Sequence, residues 1–269
     1  MGTYASQDND FDYAFSFATS TGEHEWTFSL TYDSTDETYW SSPSVLQNIS
    51  GSSGISHAVA YKNGSLLLGD PQNERVEVYE SYINSAGFFT SGFYKVNRCS
   101  AYGVDEASGF GYSVVAVPNG AVVGAPYTSV GTSASGAGAI FGFNEVVTGG
   151  HGATGTASWG QYAYVTGSVV SGCFGCSLAK RFVSSTPIVS VAATGELGGT
   201  GKAYLYNGAT LTFLNTVIPT GHNITRFGRS QAFSVANDIG YLAIGLSDGG
   251  TGKVNIYKES SAGANDYAF

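Results

Sequence analysis

A pattern of three short apolar segments repeats along the chain and limits the folds that it can adopt. In the clearest copy, an alternating segment begins at Phe110-Gly111, a second ends at Gly124-Ala125-Pro126, and a third follows a glycine loop. Short alternating segments that are separated by glycine and proline are typical of β-strands and turns. Each copy is therefore predicted to form three antiparallel strands.

The pattern recurs at a regular spacing. Copies begin near residues 11, 55, 110, 174 and 227, so the period averages about 54 residues. A further strand-like segment lies between copies, as at residues 88–96, 162–170 and 211–218. Four short strands at this period are typical of β-propeller blades, which bury their faces only by stacking on one another. We therefore expect an all-β fold, a single propeller domain over 1–269 of about five four-stranded blades, approximately 11–54, 55–109, 110–173, 174–226 and 227–269.

The composition agrees with an all-β protein. The chain has 38 glycines but only 11 lysines and arginines among its 269 residues. Each glycine inside a helix costs about 1 kcal/mol relative to alanine, so a helical protein is excluded. Because 42% of the residues are hydrophobic and 14% are aromatic, the chain can bury a core and disorder is not expected.

The charge and the hydropathy exclude several classes of partner. A formal charge of −9 argues against nucleic acid, which binds clustered lysine and arginine. The sequence has no apolar run of the roughly 18–20 residues that a membrane span needs, so membrane insertion is not expected. The first residues lack the basic and apolar regions of an export signal. Low charge with many Gly, Ser, Thr and Tyr residues favours an extracellular surface or a virion as the location.

The repeat resembles the FG-GAP family of β-propeller repeats, found in integrin α-subunit heads and in surface proteins of microbes. The resemblance covers roughly residues 55–258 and implies a propeller that binds proteins or glycans. Integrin-type propellers usually have seven blades, so this chain implies either a compact five-bladed ring or an incomplete ring that another chain completes. The residues that carry the resemblance are Phe110, Gly111, Gly124, Ala125, Pro126, Phe174, Gly175, Phe227 and Gly228.

The strongest metal candidate in the sequence is the acidic segment Asp8, Asp10 and Asp12. Alternating carboxylates suit Ca²⁺, but the glycine and the distal glutamate of a complete calcium loop are missing. Calcium-binding FG-GAP members place an Asp-rich loop between the first two strands, whereas the corresponding turn here is Pro118-Asn119-Gly120. A solvated acidic edge is therefore the favoured interpretation, with Ca²⁺ at these three residues as the alternative and no other cofactor expected.

The three cysteines leave their redox state open. Cys173 and Cys176 form a CxxC pair without the strand-to-helix context of thioredoxin-like motifs and without two further zinc ligands. Because the pair overlaps Phe174-Gly175, we interpret both as small strand residues, with a local disulfide or a metal as the alternative. Cys99 is expected to be a lone thiol.

No convergent catalytic set is visible, since the chain has no HExxH motif and no nucleophile elbow of the GxSxG type before a helix. The favoured function is a non-catalytic module, adhesin-like or assembly-forming, that binds protein or glycan, including a viral capsid or fibre protein. The alternative is a carbohydrate-active enzyme with carboxylates in the propeller funnel. Its candidate acids are Asp70, Asp105 and Asp248, whose other role would be to form turns.

The end of the chain echoes its beginning. Residues 265–269 read Asn-Asp-Tyr-Ala-Phe, and residues 9–15 contain the same letters with two insertions. Pairing between terminal strands removes exposed sheet edges. We therefore expect this tail to close the ring by joining the N-terminal blade of its own chain or of a neighbouring copy.

Overall fold

The fold is all-β in the computed structural model. The structure describes residues 3–8, 11–20, 23–31, 47–50, 58–62, 65–83, 89–99, 108–129, 135–148, 156–220, 224–248 and 250–268, and within 3–50 and 80–98 it describes the backbone alone. Among these residues, no helix has the length and apolar character needed to cross a membrane.

In the described residues, twenty strands form five antiparallel sheets of four strands each. The first sheet contains β1 (Thr3–Asp8), β2 (Phe11–Ser20), β3 (Glu23–Thr31) and β4 (Gln47–Ser50), and the second contains β5 (Val59–Lys62), β6 (Ser65–Asp70), β7 (Arg75–Ile83) and β8 (Phe89–Cys99). The third contains β9 (Ser113–Val117), β10 (Gly120–Ala125), β11 (Ala139–Thr148) and β12 (Thr156–Thr166). The fourth contains β13 (Phe174–Val183), β14 (Thr186–Ala193), β15 (Lys202–Asn207) and β16 (Phe213–Val217), with a helical turn, α1 (Glu196–Gly199), before β15. The fifth contains β17 (Ile224–Thr225), β18 (Gln231–Ala236), β19 (Ile239–Asp248) and β20 (Thr251–Lys258).

The first four sheets are meanders in which each strand pairs with the next. In the fifth sheet, β17 and β18 both pair with β19, β17 beside Asp248 and β18 beside residues 239–244. The two segments therefore form one first strand that is interrupted around Phe227-Gly228. The same interruption displaces the register of β13 just after Phe174.

Several local predictions are confirmed. The tight turn at Pro118-Asn119 joins β9 to β10, with Val117 opposite Gly120. Strand β10 ends at Ala125, directly before Pro126, because proline cannot donate a ladder hydrogen bond. The predicted third strand of that copy is β11.

The strand boundaries differ from prediction in two places. The first sheet begins at Thr3, so the segment that opens at Phe11 is its second strand and not its first. The fourth strand of the third sheet runs over Thr156–Thr166, earlier than the predicted 162–170. Serine, threonine and glycine around both segments obscured the alternation on which the boundaries were based.

The prediction for the C-terminal tail is wrong. Ala268 and Lys258 exchange both backbone hydrogen bonds, 2.8 and 3.0 Å long, so the tail adds to β20 of the fifth sheet. The tail is held there by its own side chains, since the Asp266 carboxylate accepts hydrogen bonds from the amide and hydroxyl of Ser260. The local turn after β20 thus outcompetes a distant partner strand.

Sheets two to five stack face to face in chain order. We call the face of each sheet that is turned toward the next sheet its outer face. Apolar clusters fill the spaces: Val76 and Val78 of the second sheet pack with Phe110 of the third, Ile140 of the third with Phe174 of the fourth, and Leu205 of the fourth with Phe227 of the fifth. The described strands do not close into a barrel or a ring, so the five-bladed propeller stays a prediction.

Candidate functional site

The three Phe-Gly elements share one local geometry. Gly111, Gly175 and Gly228 have φ angles of +95°, +91° and +95°, which lie in a region that glycine adopts without steric cost. The preceding phenylalanine is buried in each case and packs edge-on against aromatic rings of the third strand in its own sheet. The ring centroids are 5.5 Å apart for Phe110 and Phe141, 5.6 Å for Phe174 and Tyr204, and 5.9 Å for Phe227 and Tyr257.

These glycines form the contacts between successive sheets. A methyl group on Gly69 would lie 2.0 Å from the Gly111 carbonyl oxygen, and one on Gly124 would lie 2.0 Å from the Gly175 carbonyl oxygen. In the third contact, a methyl group on Gly228 would lie 2.6 Å from Cβ of Ala192. We call the set the glycine row, consisting of Gly69, Gly111, Gly124, Gly175, Ala192, Gly228 and Gly245. The row explains why the repeat places small residues at the ends of the second strands.

A serine strengthens one of these contacts. The Ser113 hydroxyl lies beside Gly124 and donates a hydrogen bond of 2.7 Å to the Gly175 carbonyl oxygen of the next sheet. Ser230 occupies the same position beside Gly245 in the last sheet. A methyl group on Gly124 or Gly245 would lie 2.2 or 2.4 Å from the respective hydroxyl oxygen.

Glu74 replaces a glycine of the repeat. Gly138 and Gly201 precede the third strands of their sheets with φ angles of +87° and +93°, and Glu74 holds the corresponding place with φ of +50°. Its carboxylate accepts hydrogen bonds of 2.9 Å from the amides of Gly109 and Phe110, and another from the Ser108 hydroxyl. Between the third and fourth sheets, the amide of Phe174, which corresponds to Phe110, instead donates to the backbone carbonyl of Ala137. The Glu74 side chain therefore connects the second sheet to the third.

Of the three predicted catalytic acids, only Asp70 has a side chain that the structure describes. Asp70 is fully buried and forms an ion pair of 2.9 Å with Arg75, whose guanidinium also contacts Glu77 at 2.9 Å. Asn73 donates to both oxygens of Asp70. Asp248 lies at the end of β19 by its backbone, and its side chain lies outside the described part, as does the whole of Asp105.

Two further buried carboxylates were missed by the sequence analysis. Glu196 accepts a hydrogen bond from the Tyr204 hydroxyl and lies 3.4 Å from the Lys202 ammonium. Burial, together with the hydrogen bond to the charged Glu196 carboxylate, raises the pKa of Tyr204. Glu259 pairs with Arg181 between the fourth and fifth sheets, and both side chains are buried. Both carboxylates lie in turns or at strand ends, where the repeat pattern carries no signal for a buried charge.

The cysteines are thiols in the structure. Cys176 lies in β13, with its sulfur 3.6 Å from the Thr194 hydroxyl, whereas Cys173 lies directly before that strand. Burial raises the pKa of both thiols, and it raises the pKa of Cys99 to about 12. These surroundings favour the protonated, unreactive form.

The side chains of the three proposed calcium residues lie outside the described part of the structure. Asp8 and Asp12 lie in β1 and β2 by their backbone, and Asp10 lies outside the described residues. Within the described part of the chain, no group of three or more His, Cys, Asp or Glu side chains could hold a metal ion.

An open cavity in the last sheet is the candidate binding site. It has a volume of about 640 Å³, and its lining includes Gly245 and Ser230 of the repeat. Three cations lie around it, Arg226, Arg229 and Lys253. Since the whole chain has only 11 lysines and arginines, this is a concentration of positive charge in an acidic protein. The cavity can therefore accept an acidic group.

The charge of the chain is unevenly distributed. Residues 174–269 contain seven of the 11 lysines and arginines but only five of the 20 aspartates and glutamates. Residues 1–50 contain eight acidic residues and no lysine or arginine. The net charge of −9 conceals this separation of an acidic N-terminal region from basic C-terminal sheets.

Comparisons with known proteins identify no family. No protein-family profile and no curated protein matches the chain. Among solved structures, the chain is similar to a protein of unknown function from Bacteroides caccae, with 9% sequence identity and a TM-score of 0.41 over 89% of this chain and 71% of that one. That protein has no known function, so the similarity names no activity.

Proposed function

We propose that the chain is a non-catalytic β-propeller of about five four-stranded blades, similar to FG-GAP repeats, that acts as an interaction and structural module. Four sheets with the four-stranded meander of a blade support this proposal, as does the stacking of sheets two to five in chain order. The Phe-Gly elements and the glycine row recur at corresponding positions, which is consistent with one repeated blade.

The observation that carries the interaction role is the exposed outer face of the last sheet. Val254 and Ile256 are large apolar residues there, and both lie mostly in solvent beside the cationic cavity. Exposed apolar patches with a polar rim are typical of interaction sites. We infer that this face binds an acidic protein or glycan surface, as in an adhesin at the cell exterior or a coat or fibre protein of a virion.

The same face provides the test of this function. We expect wild-type protein to bind an acidic glycan on an array, to capture a protein, or to associate with itself. The double variant R229A/K253A should reduce that binding at least tenfold. Lys258→Ala is the matched control, because Lys258 lies on the same strand but does not line the cavity. Wild-type protein that binds nothing and remains a monomer would contradict the proposal.

The alternative function is carbohydrate hydrolysis by funnel carboxylates. A general acid or base must reach the reacting group of its substrate, and the burial of Asp70 in an ion pair with Arg75 favours a structural role for it. Turnover on a polysaccharide panel that disappears in D105N or D248N would favour the enzyme.

A further inference from the structure

The outer faces of sheets two to four are covered, and that of sheet five is not. On the third strands of sheets two and four, Val76, Val78, Ala203 and Leu205 have 0% exposure because the next sheet covers them. Val254 and Ile256 of β20 occupy the corresponding positions in the last sheet. Val254 pairs with Gly245 of the glycine row just as Val76 pairs with Gly69. In the last sheet, however, Val254 is 63% exposed and Ile256 is 60% exposed.

The glycine row also ends at this face. Gly245 corresponds to Gly124, against which the next sheet places the Gly175 carbonyl oxygen. The Ser230 hydroxyl lies beside Gly245 just as the Ser113 hydroxyl, which donates to that carbonyl, lies beside Gly124. Ser230 and Gly245 therefore form one half of a contact between sheets, and the described residues supply no second half.

A β-sheet that carries negative charge would complement this half of the contact. Arg226, Arg229 and Lys253 surround the open end of the row. Sheets three, four and five already pack on the outer faces of their predecessors. The strands of the first sheet, β1–β4, contain four acidic residues, Asp8, Asp12, Glu23 and Glu25, and no lysine or arginine. Opposite charges on two faces increase both the rate and the specificity of association.

We propose that the outer face of the last sheet binds the N-terminal sheet, β1–β4, of a second copy of this chain. This inference rests on the proposed role as an assembly-forming module and names its partner. Val254 and Ile256 are exposed in the described part of the chain, so we assign the contact to two copies, each an incomplete ring that the next copy completes. Because two different faces meet, the contact is heterologous, and repetition produces a ring or a filament.

The contact is tested first by concentration and salt. We expect the mass of the wild-type protein, measured by light scattering after size exclusion, to rise with concentration and to fall toward the monomer in 0.5 M NaCl. V254E/I256E should weaken association at least tenfold, because it places acids against an acidic sheet. V146E is the control, since Val146 is equally exposed but lies on the third sheet. Wild-type protein that is monomeric at every concentration would overturn the proposal.

A mixing experiment separates association between copies from closure within one copy. V254E/I256E lacks a functional outer face, whereas E23K/E25K reverses charge in the first sheet. Each variant alone should be a monomer, and an equimolar mixture should form a one-to-one dimer through the one intact face of each. A mixture that stays monomeric would overturn the proposal. If the wild type does not associate but binds a glycan or another protein, the proposed function stands and this inference fails.

Discussion

Gly124 of the third sheet lies directly against Gly175 of the fourth, so closely that a methyl group on Gly124 would be 2.0 Å from the Gly175 carbonyl oxygen. The same contact joins Gly69 to Gly111. The Phe-Gly and Gly-Ala elements of the sequence are therefore the two sides of one contact between consecutive sheets. This gives the repeat a physical reason, because a methyl group on either glycine of these two contacts would lie 2.0–2.5 Å from a backbone carbonyl oxygen.

The first prediction concerns this contact. We expect Gly175→Ala to destabilise the fold by about 1–3 kcal/mol from the positive φ alone, with a further cost because the methyl group would lie 2.5 Å from the Ala139 carbonyl oxygen. Gly160→Ala is the control, since an added methyl group there meets nothing within 4 Å. Thermal unfolding should show a decrease in Tm for G175A of several degrees. Equal Tm values for the two variants would contradict the glycine-row contact.

The second prediction concerns Glu74. Glu74→Ala should cost about 1–3 kcal/mol, because it leaves the amides of Gly109 and Phe110 without their acceptor. Glu74→Gly should recover part of that loss, since glycine adopts the positive φ without strain. Urea unfolding of the three proteins measures this order of stability. A Glu74→Gly variant that is less stable than Glu74→Ala would show that backbone conformation is not limiting at this position.

The third prediction concerns the buried ion pair between Arg181 and Glu259. The carboxylate also accepts hydrogen bonds of 2.9 Å from the amides of Gly240 and Asn265. Glu259→Gln should therefore destabilise the protein by about 3–5 kcal/mol, because it leaves a buried guanidinium without its counterion. In a double-mutant cycle with Arg181→Met, the double variant should be more stable than Glu259→Gln alone. Additive losses would show that the two side chains do not interact.

The fourth prediction concerns pH and the tail. Hydrogen bonds from the hydroxyl and the amide of Ser260 lower the pKa of Asp266 below its ordinary value of 3.8. The folded form thus favours the carboxylate, so its stabilising effect is complete above about pH 4 and is lost as the pH falls through the lowered pKa. Hydrogen exchange at the Ala268 amide, corrected for intrinsic rates, should show protection that decreases below pH 4. In D266N, protection should be lower and independent of pH in this range.

The first two strands of the third sheet, β9 and β10, show why part of the fold was predictable from the sequence. Phe110-Gly111, the turn at Pro118-Asn119 and the stop at Pro126 are local signals, and β9 and β10 follow them closely. The buried charges Glu196 and Glu259 carry no such signal, because their burial depends on partners such as Tyr204 and Arg181 that are distant in sequence or on another strand. The same is true of the C-terminal tail, because its sequence does not distinguish pairing with the N-terminal sheet from pairing with β20.

The sequence by itself determined that the chain is all-β and built from a strand pattern of about 54 residues, because alternation and glycine placement act over a few residues. Only the tertiary structure decided which faces are covered. Val76 and Val254 occupy corresponding positions and are the same residue type, yet one is buried and the other is 63% exposed. The difference lies in the presence of a following sheet, since burial depends on what packs against a strand and not on its own residues.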